Sequence, residues 1–155
     1  MVHVALGGTF EIVHKGHRIL LARAFEIGDR VLIGLTSDRL ANSSRSRNVR
    51  PYEEREAALR AYIDGAHPGS DHTIEMIDDR FGPAIHLEDL DVLVVSVNTH
   101  PTGIELNHLR RERGLRPLDL VAIPPVLADD GLPISSTRVM AGECDADGHV
   151  PSGPL

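Results

Sequence analysis

Lysine is all but missing from this 155-residue chain: Lys15 stands alone beside fifteen arginines. Cysteine is as scarce, and a single one, Cys144, excludes an internal disulfide and a cysteine-based zinc cluster. No apolar run approaches the roughly 18 residues that a membrane span needs. The first residues run straight into an apolar strand, so no signal peptide is expected and the cytoplasm is the expected compartment. Positive charge is short overall. The formal net charge of −7 argues against a broad nucleic-acid surface, so an anionic ligand would need a local positive pocket. No G-x-x-x-x-G-K-[ST] occurs, which excludes a P-loop kinase, and no G-x-S-x-G elbow occurs either.

What is present centres on Gly7-Gly8-Thr9-Phe10-Glu11-Ile12-Val13-His14-Lys15-Gly16-His17. A short apolar strand (2–6) precedes it, and a helical pattern (18–27) follows. Glycines let the backbone pass close to a bulky ligand. The helix start presents free N–H groups and the positive end of a dipole, an anion site whose usual occupant is phosphate. His14, Lys15, His17 and Arg18 all fall at that start, where a cation opposes the dipole by roughly 0.3–1 kcal/mol. A polyphosphate would supply the missing negative charge. His14 and His17, three residues apart, share one side of a first turn. Zinc would need a third ligand, and nothing nearby supplies a strong candidate, so no protein metal site is expected.

The rest alternates strands and helices. Strands are expected at 30–36, 73–77, 92–97 and 118–123. Helices are expected at 52–64 with Gly65 ending it, from Gly82-Pro83 to about residue 88, at 103–113 with Gly114 as cap, and at 135–141. Residues 37–50 read as polar and irregular. In the fourth helix Ile104, Asn107, His108 and Arg111 recur at helical spacing. The continuous β-branched run at 92–97 suits a central parallel strand covered on both faces. These alternations predict an α/β fold in a single domain: a Rossmann-like, doubly wound sheet of five parallel strands over residues 1–142, with a loose tail at 143–155. In such sheets ligands bind beyond the carboxyl ends of the strands.

Two further clusters fall on that rim. Ser135-Ser136-Thr137-Arg138 opens a helix after a proline turn. An ordinary N-cap accounts for one hydroxyl, at about 1 kcal/mol, but not for three in a row with an arginine in the first turn. A phosphate held by Arg138 and backbone N–H groups accounts for both. Arg45, Arg47 and Arg50 lie in the loop after the second strand and could hold a second anionic substrate. Asp78-Asp79-Arg80-Phe81-Gly82, after the third strand, could wall a pocket.

Thr9-Phe10 with His14-Lys15-Gly16-His17 resembles the H-x-G-H signature of the nucleotidyltransferase superfamily, and Ile134-Ser135-Ser136-Thr137-Arg138 resembles its second signature. Further segments resemble the archaeal type of phosphopantetheine adenylyltransferase. They include Gly34-Leu-Thr-Ser-Asp38, Arg50-Pro-Tyr-Glu-Glu-Arg55, Phe81-Gly-Pro-Ala84, and Glu105-Leu-Asn107 with Arg110. Glu11 stands where that family often has Asp, and Asn98 where an acidic residue is common. The resemblance implies transfer of the adenylyl group of ATP to 4'-phosphopantetheine, giving dephospho-coenzyme A and pyrophosphate, with Mg2+ bridging phosphate oxygens. It also implies the site: Thr9, His14, Lys15 and His17 for catalysis; Gly8, Phe10, Gly16, Glu105, Ser135, Ser136, Thr137 and Arg138, with Thr9, His14 and His17, around ATP. The acceptor would meet Thr9, Arg45, Arg47, Arg50, Arg80, Phe81 and Arg110. The same two signatures leave open an adenylyl- or cytidylyltransferase acting on flavin mononucleotide, nicotinamide mononucleotide or glycerol phosphate. A nucleotide-binding module without chemistry also stays open.

Overall fold

Five strands form one sheet: β1 (His3–Gly8), β2 (Arg30–Thr36), β3 (His72–Ile77), β4 (Val92–Ser96) and β5 (Asp119–Ile123). Their spatial order is β3-β2-β1-β4-β5, and every pair is parallel. The computed structural model describes residues 1–43 and 48–152. Five α-helices connect or flank the strands: α1 (Lys15–Ile27), α2 (Asp38–Ser43), α3 (Tyr52–Ala66), α4 (His100–Glu112) and α5 (Ser136–Met140). A single 3-10 turn, Gly82–Ile85, follows β3. The chain winds from β1 outward to β3, then returns to lay β4 beside β1. That reversal opens a crevice at the carboxyl ends of β1 and β4, where ligands of such sheets bind.

Alternation along the central strands sends side chains to two faces, and the face that carries Ala5, Gly7 and Gly34 has the less bulk. Val4, Leu6, Val31, Ile33, Val92 and Val94 pack with Leu21 and Ala24 of α1 and with Leu59 and Ile63 of α3. Leu21, Ile33, Leu59 and Ile63 are fully buried, each contributing about 1.5–3 kcal/mol by leaving water. On the opposite face Ala5 and Leu32 pack with Ala84, Leu90 and Leu106, beneath the 3-10 turn and α4. Gly7 and Gly34 are register partners on that same face, so its centre is hollow.

Several element boundaries differ from expectation, for local reasons. The first helix begins at Lys15, because His14 is its N-cap. Part of the stretch expected to be irregular is helical as α2, with Ser37 Oγ accepting the N–H of Leu40 and Asp38 in the first turn. Gly65 does not end α3 but lies inside it; His67 is the cap and Gly69 takes the left-handed conformation (φ 74°). The 3-10 turn stops at Ile85, and α4 starts early, with Pro101 in its first turn. The inward face of α4 is Gly103, Leu106, Asn107 and Arg110, so Ile104, His108 and Arg111 point outward. The described segment just after Gly142 is tied down rather than loose. Cys144 is buried beside Ala128 and Ile134, and the carbonyl of Ala146 accepts the N–H of Lys15 at 2.7 Å.

Candidate active site

The turn between β1 and α1 is held by a buried cation. Arg55, on α3, is fully buried and donates through Nη1 to the carbonyl of Thr9 at 3.0 Å and to Thr36 Oγ1 at 3.3 Å. Thr36 Oγ1 in turn donates to Thr9 Oγ1 at 3.0 Å. The remaining nitrogens of Arg55 donate to the Arg50 carbonyl (Nε, 2.7 Å) and to Asp38 Oδ1 (Nη2, 3.0 Å). The turn also carries strain. Phe10 has φ 48°, the only positive value of a non-glycine among the described residues, and such placements cost about 1–3 kcal/mol. Burial of its ring offsets this. Gly8 is required beneath it, since a Cβ there would lie 2.9 Å from the ring.

Next to Phe10 the two histidines stack. Phe10 and His17 ring centroids lie 4.6 Å apart, and those of His14 and His17 lie 3.8 Å apart with planes 19° from parallel. His14 Nδ1 accepts the backbone N–H of His17 at 3.3 Å, so its hydrogen sits on Nε2. His17 is the reverse. Its Nδ1 lies 2.7 Å from the carbonyl of Ile12, which can only accept, so Nδ1 carries the hydrogen. The 3.4 Å approach of the His14 N–H to that same nitrogen is then not a bond; that N–H is satisfied by the Ile12 carbonyl at 2.9 Å. Burial, and secondarily the charge of Arg18, push the pKa of His14 down to about 4. His14 is therefore neutral at neutral pH, contrary to the expectation of a cation there. Gly16 is hemmed in as well: a Cβ would meet the His14 ring at 2.8 Å.

The second signature packs against the first. Ser135 is the N-cap of α5, accepting the Arg138 N–H at 3.1 Å. Buried Ser136 lies beside Ile12, with Oγ 3.4 Å from its N–H and 3.5 Å from its carbonyl. Thr137 is exposed on the first turn. Two of the cations at these helix starts have counterweights within the protein, unlike what the charge pattern had suggested. Arg18 pairs with Asp147 at 2.5 Å. Arg138 pairs with Asp130 and with Glu143, and donates to the carbonyls of Leu132 and Pro133. Lys15 is exposed at the first turn of α1.

A cavity of about 420 Å³ opens beside Thr9, over the hollow face of the sheet. Ala5, Gly7 and Leu32 form its floor; Ile77, Arg80, Phe81 and Pro83 one wall; Thr99, Thr102 and Leu106 another. Arg80 lies over the Phe81 ring, 5.0 Å from its centre, and bonds Glu105 at 2.6 Å, so two residues expected on different substrates meet at one edge. Arg50 places its N–H on buried Glu11, 2.9 Å away, while its side chain is exposed. Arg45 and Arg47 lie outside the described residues. Arg110 is fully buried and does not line the cavity; it donates to the carbonyls of Ala84 and Leu87 behind the wall. Arg55 and Thr36 were not singled out from sequence as site residues. The available signal was a charge on the apolar stripe of a helix, at the spacing of Tyr52, Leu59 and Ile63.

A parallel sheet that brings a glycine-rich βα turn and a distant serine-rich helix cap to one rim defines a nucleotide-transferring class of enzyme, and the comparisons agree. Residues 5–142 match the cytidylyltransferase-like family model. The chain is 43% identical to a phosphopantetheine adenylyltransferase of Methanothermobacter thermautotrophicus, over 95% of this chain and 88% of that one. It is also 43% identical to a protein of the same name from Methanosarcina acetivorans, over 97% and 96%. A solved structure of a protein with unknown function from Archaeoglobus fulgidus superposes with a TM-score of 0.72 at 34% identity, covering 79% of this chain and 89% of that one. The chain belongs to the cytidylyltransferase-like family and, within it, to the phosphopantetheine adenylyltransferases.

Proposed function

We propose that this protein transfers the adenylyl group of ATP to 4'-phosphopantetheine, releasing pyrophosphate and forming dephospho-coenzyme A. An oxygen of the acceptor phosphate forms a bond to the α-phosphorus as the bond to the pyrophosphate oxygen breaks. The attacking phosphate is already ionised near neutral pH, so no strong base is needed. Catalysis rests on alignment and on neutralising charge at the α-phosphoryl and leaving oxygens. One observation carries the reading: the cavity opens at Gly8 and Thr9, the residues that lead into the histidine turn. An acceptor in the cavity and a triphosphate on the start of α1 would meet at Thr9.

In this reading Thr9 orients both phosphates. His14, neutral, donates through Nε2 to the nucleotide. His17, whose Nδ1 hydrogen is committed to Ile12, donates through Nε2 only as an imidazolium, placing a full positive charge at the α-phosphoryl oxygens. Lys15 adds the one lysine charge, and Gly8 and Gly16 keep the backbone close, with Phe10 backing the His17 ring. Ser135, Ser136, Thr137 and Arg138 take the β and γ groups, Arg138 exchanging Asp130 and Glu143 for phosphate. Glu105 reaches the nucleotide, while Arg50, Arg80 and Phe81, with Arg45 and Arg47, meet the acceptor.

Magnesium is the divalent ion proposed. It would enter on the phosphate oxygens of ATP, as magnesium commonly does, keeping several of its own waters. Bound there, it would offset negative charge on the phosphate oxygens. No described helix is long and apolar enough to cross a membrane, and the cytoplasm is the compartment proposed for this biosynthetic step. Pyrophosphate release measured with 4'-phosphopantetheine, flavin mononucleotide, nicotinamide mononucleotide and glycerol phosphate, each with ATP or CTP, tests the assignment. Release with ATP and 4'-phosphopantetheine alone is expected; release with another pair would replace the acceptor or the nucleotide.

A further inference from the structure

Arg110 is a charge in an unusual place. Its side chain is fully buried, yet among the described residues no carboxylate pairs with it and its Nη2 has no hydrogen-bond partner. Its other nitrogens donate only to main-chain carbonyls. Nη1 reaches Ala84 at 2.6 Å and Leu87 at 2.8 Å, and Nε reaches Arg116 at 3.0 Å. Arginine stays protonated under any physiological condition, so a full charge is held out of water by three carbonyls. A side chain needed merely to fill this space could be leucine or methionine, which escape the desolvation penalty.

Two of the three carbonyls belong to the segment that forms or follows the cavity wall. Ala84 lines the cavity, and Leu87 lies just beyond the four-residue 3-10 turn, whose entry is held by Asp79 accepting the N–H groups of Phe81 and Gly82 at 2.9 and 2.7 Å. Gly82 enters that turn at φ 56°, where a Cβ would strike Ile77 at 2.6 Å, so the turn is tight at its entry, and Arg110 adds the side-chain bonds at its far end. Arg116 lies between α4 and β5. One turn earlier on the same face of α4, Asn107 exchanges two hydrogen bonds with Leu118, at 2.9 and 2.7 Å. Asn107 thus fastens α4 to the start of β5, and Arg110 fastens the 3-10 turn to α4.

Building on the adenylyltransferase reading, we infer that Arg110 is a positioning residue for the acceptor: it sets where the Phe81–Ala84 wall stands relative to the sheet without touching substrate. Apart from Glu105, the residues that would hold ATP lie at the β1–α1 turn, on α1 and on α5, and receive no bond from Arg110. Loss of Arg110 therefore acts chiefly on the acceptor, the nucleotide keeping every contact but that of Glu105 on α4.

The test is a pair of variants, Arg110→Met and Arg110→Lys, with KM measured separately for 4'-phosphopantetheine and ATP, alongside ATP binding by calorimetry without acceptor. Arg110→Met raises KM for the acceptor about tenfold, as removal of hydrogen bonds from a charged group implies, with kcat and the ATP affinity within about twofold. Arg110→Lys, able to reach fewer carbonyls, recovers part of the loss and serves as the probe if the methionine variant does not fold. Equal losses in kcat and in both affinities would reduce Arg110 to general stability and overturn the inference, as would an unchanged acceptor KM. A wild-type protein that releases no pyrophosphate with 4'-phosphopantetheine would instead overturn the functional reading beneath it.

Discussion

The guanidinium of Arg55 lies 3.0 Å from the carbonyl of Thr9, and through Thr36 it also fixes the Thr9 hydroxyl. One fully buried side chain thus sets both the main-chain and the side-chain position of the residue at the meeting point of cavity and histidine turn. Removing it breaks a buried charged network and leaves the Thr9 and Arg50 carbonyls without that donor. Arg55→Met should lower the unfolding free energy by about 3 kcal/mol, the low end of the range because Asp38 is half exposed. It should also reduce kcat in whatever fraction folds. Arg55→Lys should not restore either, because an ammonium cannot span four acceptors in the same fork. Denaturant titration with steady-state kinetics reads both.

The buried His14 makes stability depend on pH. Its folded pKa of about 4 lies below its ordinary value of 6.5, so between those limits the unfolded chain binds more protons than the folded one. Stability from this group is complete above about pH 6.5 and is lost as the pH falls toward 4. His14→Asn keeps an N-cap acceptor but removes the titration. Urea midpoints measured across this window should fall steadily with acid in the wild type and more shallowly in the variant.

Two glycines that look alike in sequence should behave oppositely. Gly8→Ala puts a Cβ 2.9 Å from the Phe10 ring, and the rearrangement should cost about 1–3 kcal/mol and lower activity. Gly65→Ala meets nothing within 4 Å inside α3 and should stabilise by up to about 1 kcal/mol with activity unchanged. Thermal melts of the two variants check both signs.

Much of this was legible in the sequence, and the rest failed for identifiable reasons. The β-branched runs placed all five strands to within a residue or two, and their alternation with helices implied the parallel sheet. The spacing that marked α4 as a helix did not mark its inward face, because two of its core positions, Asn107 and Arg110, are polar. The charge pattern pointed to both signature turns without their counterions: Asp130 and Glu143 lie only eight and five residues from Arg138, whereas Asp147 reaches Arg18 only through folding. Local sequence around Arg18 carries no sign of Asp147, 129 residues on. Arg55 entered only as part of the segment 50–55 and not as a site residue, because its acceptors at Thr9 and Thr36 are far from it along the chain.

Those distant partners make the C-terminal segment part of the working unit. Ending the chain at Gly142 exposes the pocket that Cys144 fills and removes the Ala146 carbonyl and the Asp147 carboxylate from the start of α1. The truncated chain should lose roughly 2 kcal/mol or more of stability, from apolar surface and capping together. Its KM for ATP should rise more than its KM for the acceptor. Calorimetric unfolding and two-substrate kinetics on the truncated chain give the comparison.

The most direct measurement is acceptor-dependent pyrophosphate release from ATP by the wild type and by His17→Ala side by side. The account predicts release that requires 4'-phosphopantetheine and falls about a hundredfold to a thousandfold in the variant, the loss typical of one donor to a developing anion. Equal rates in the two proteins, or no release when the acceptor is supplied, would contradict it.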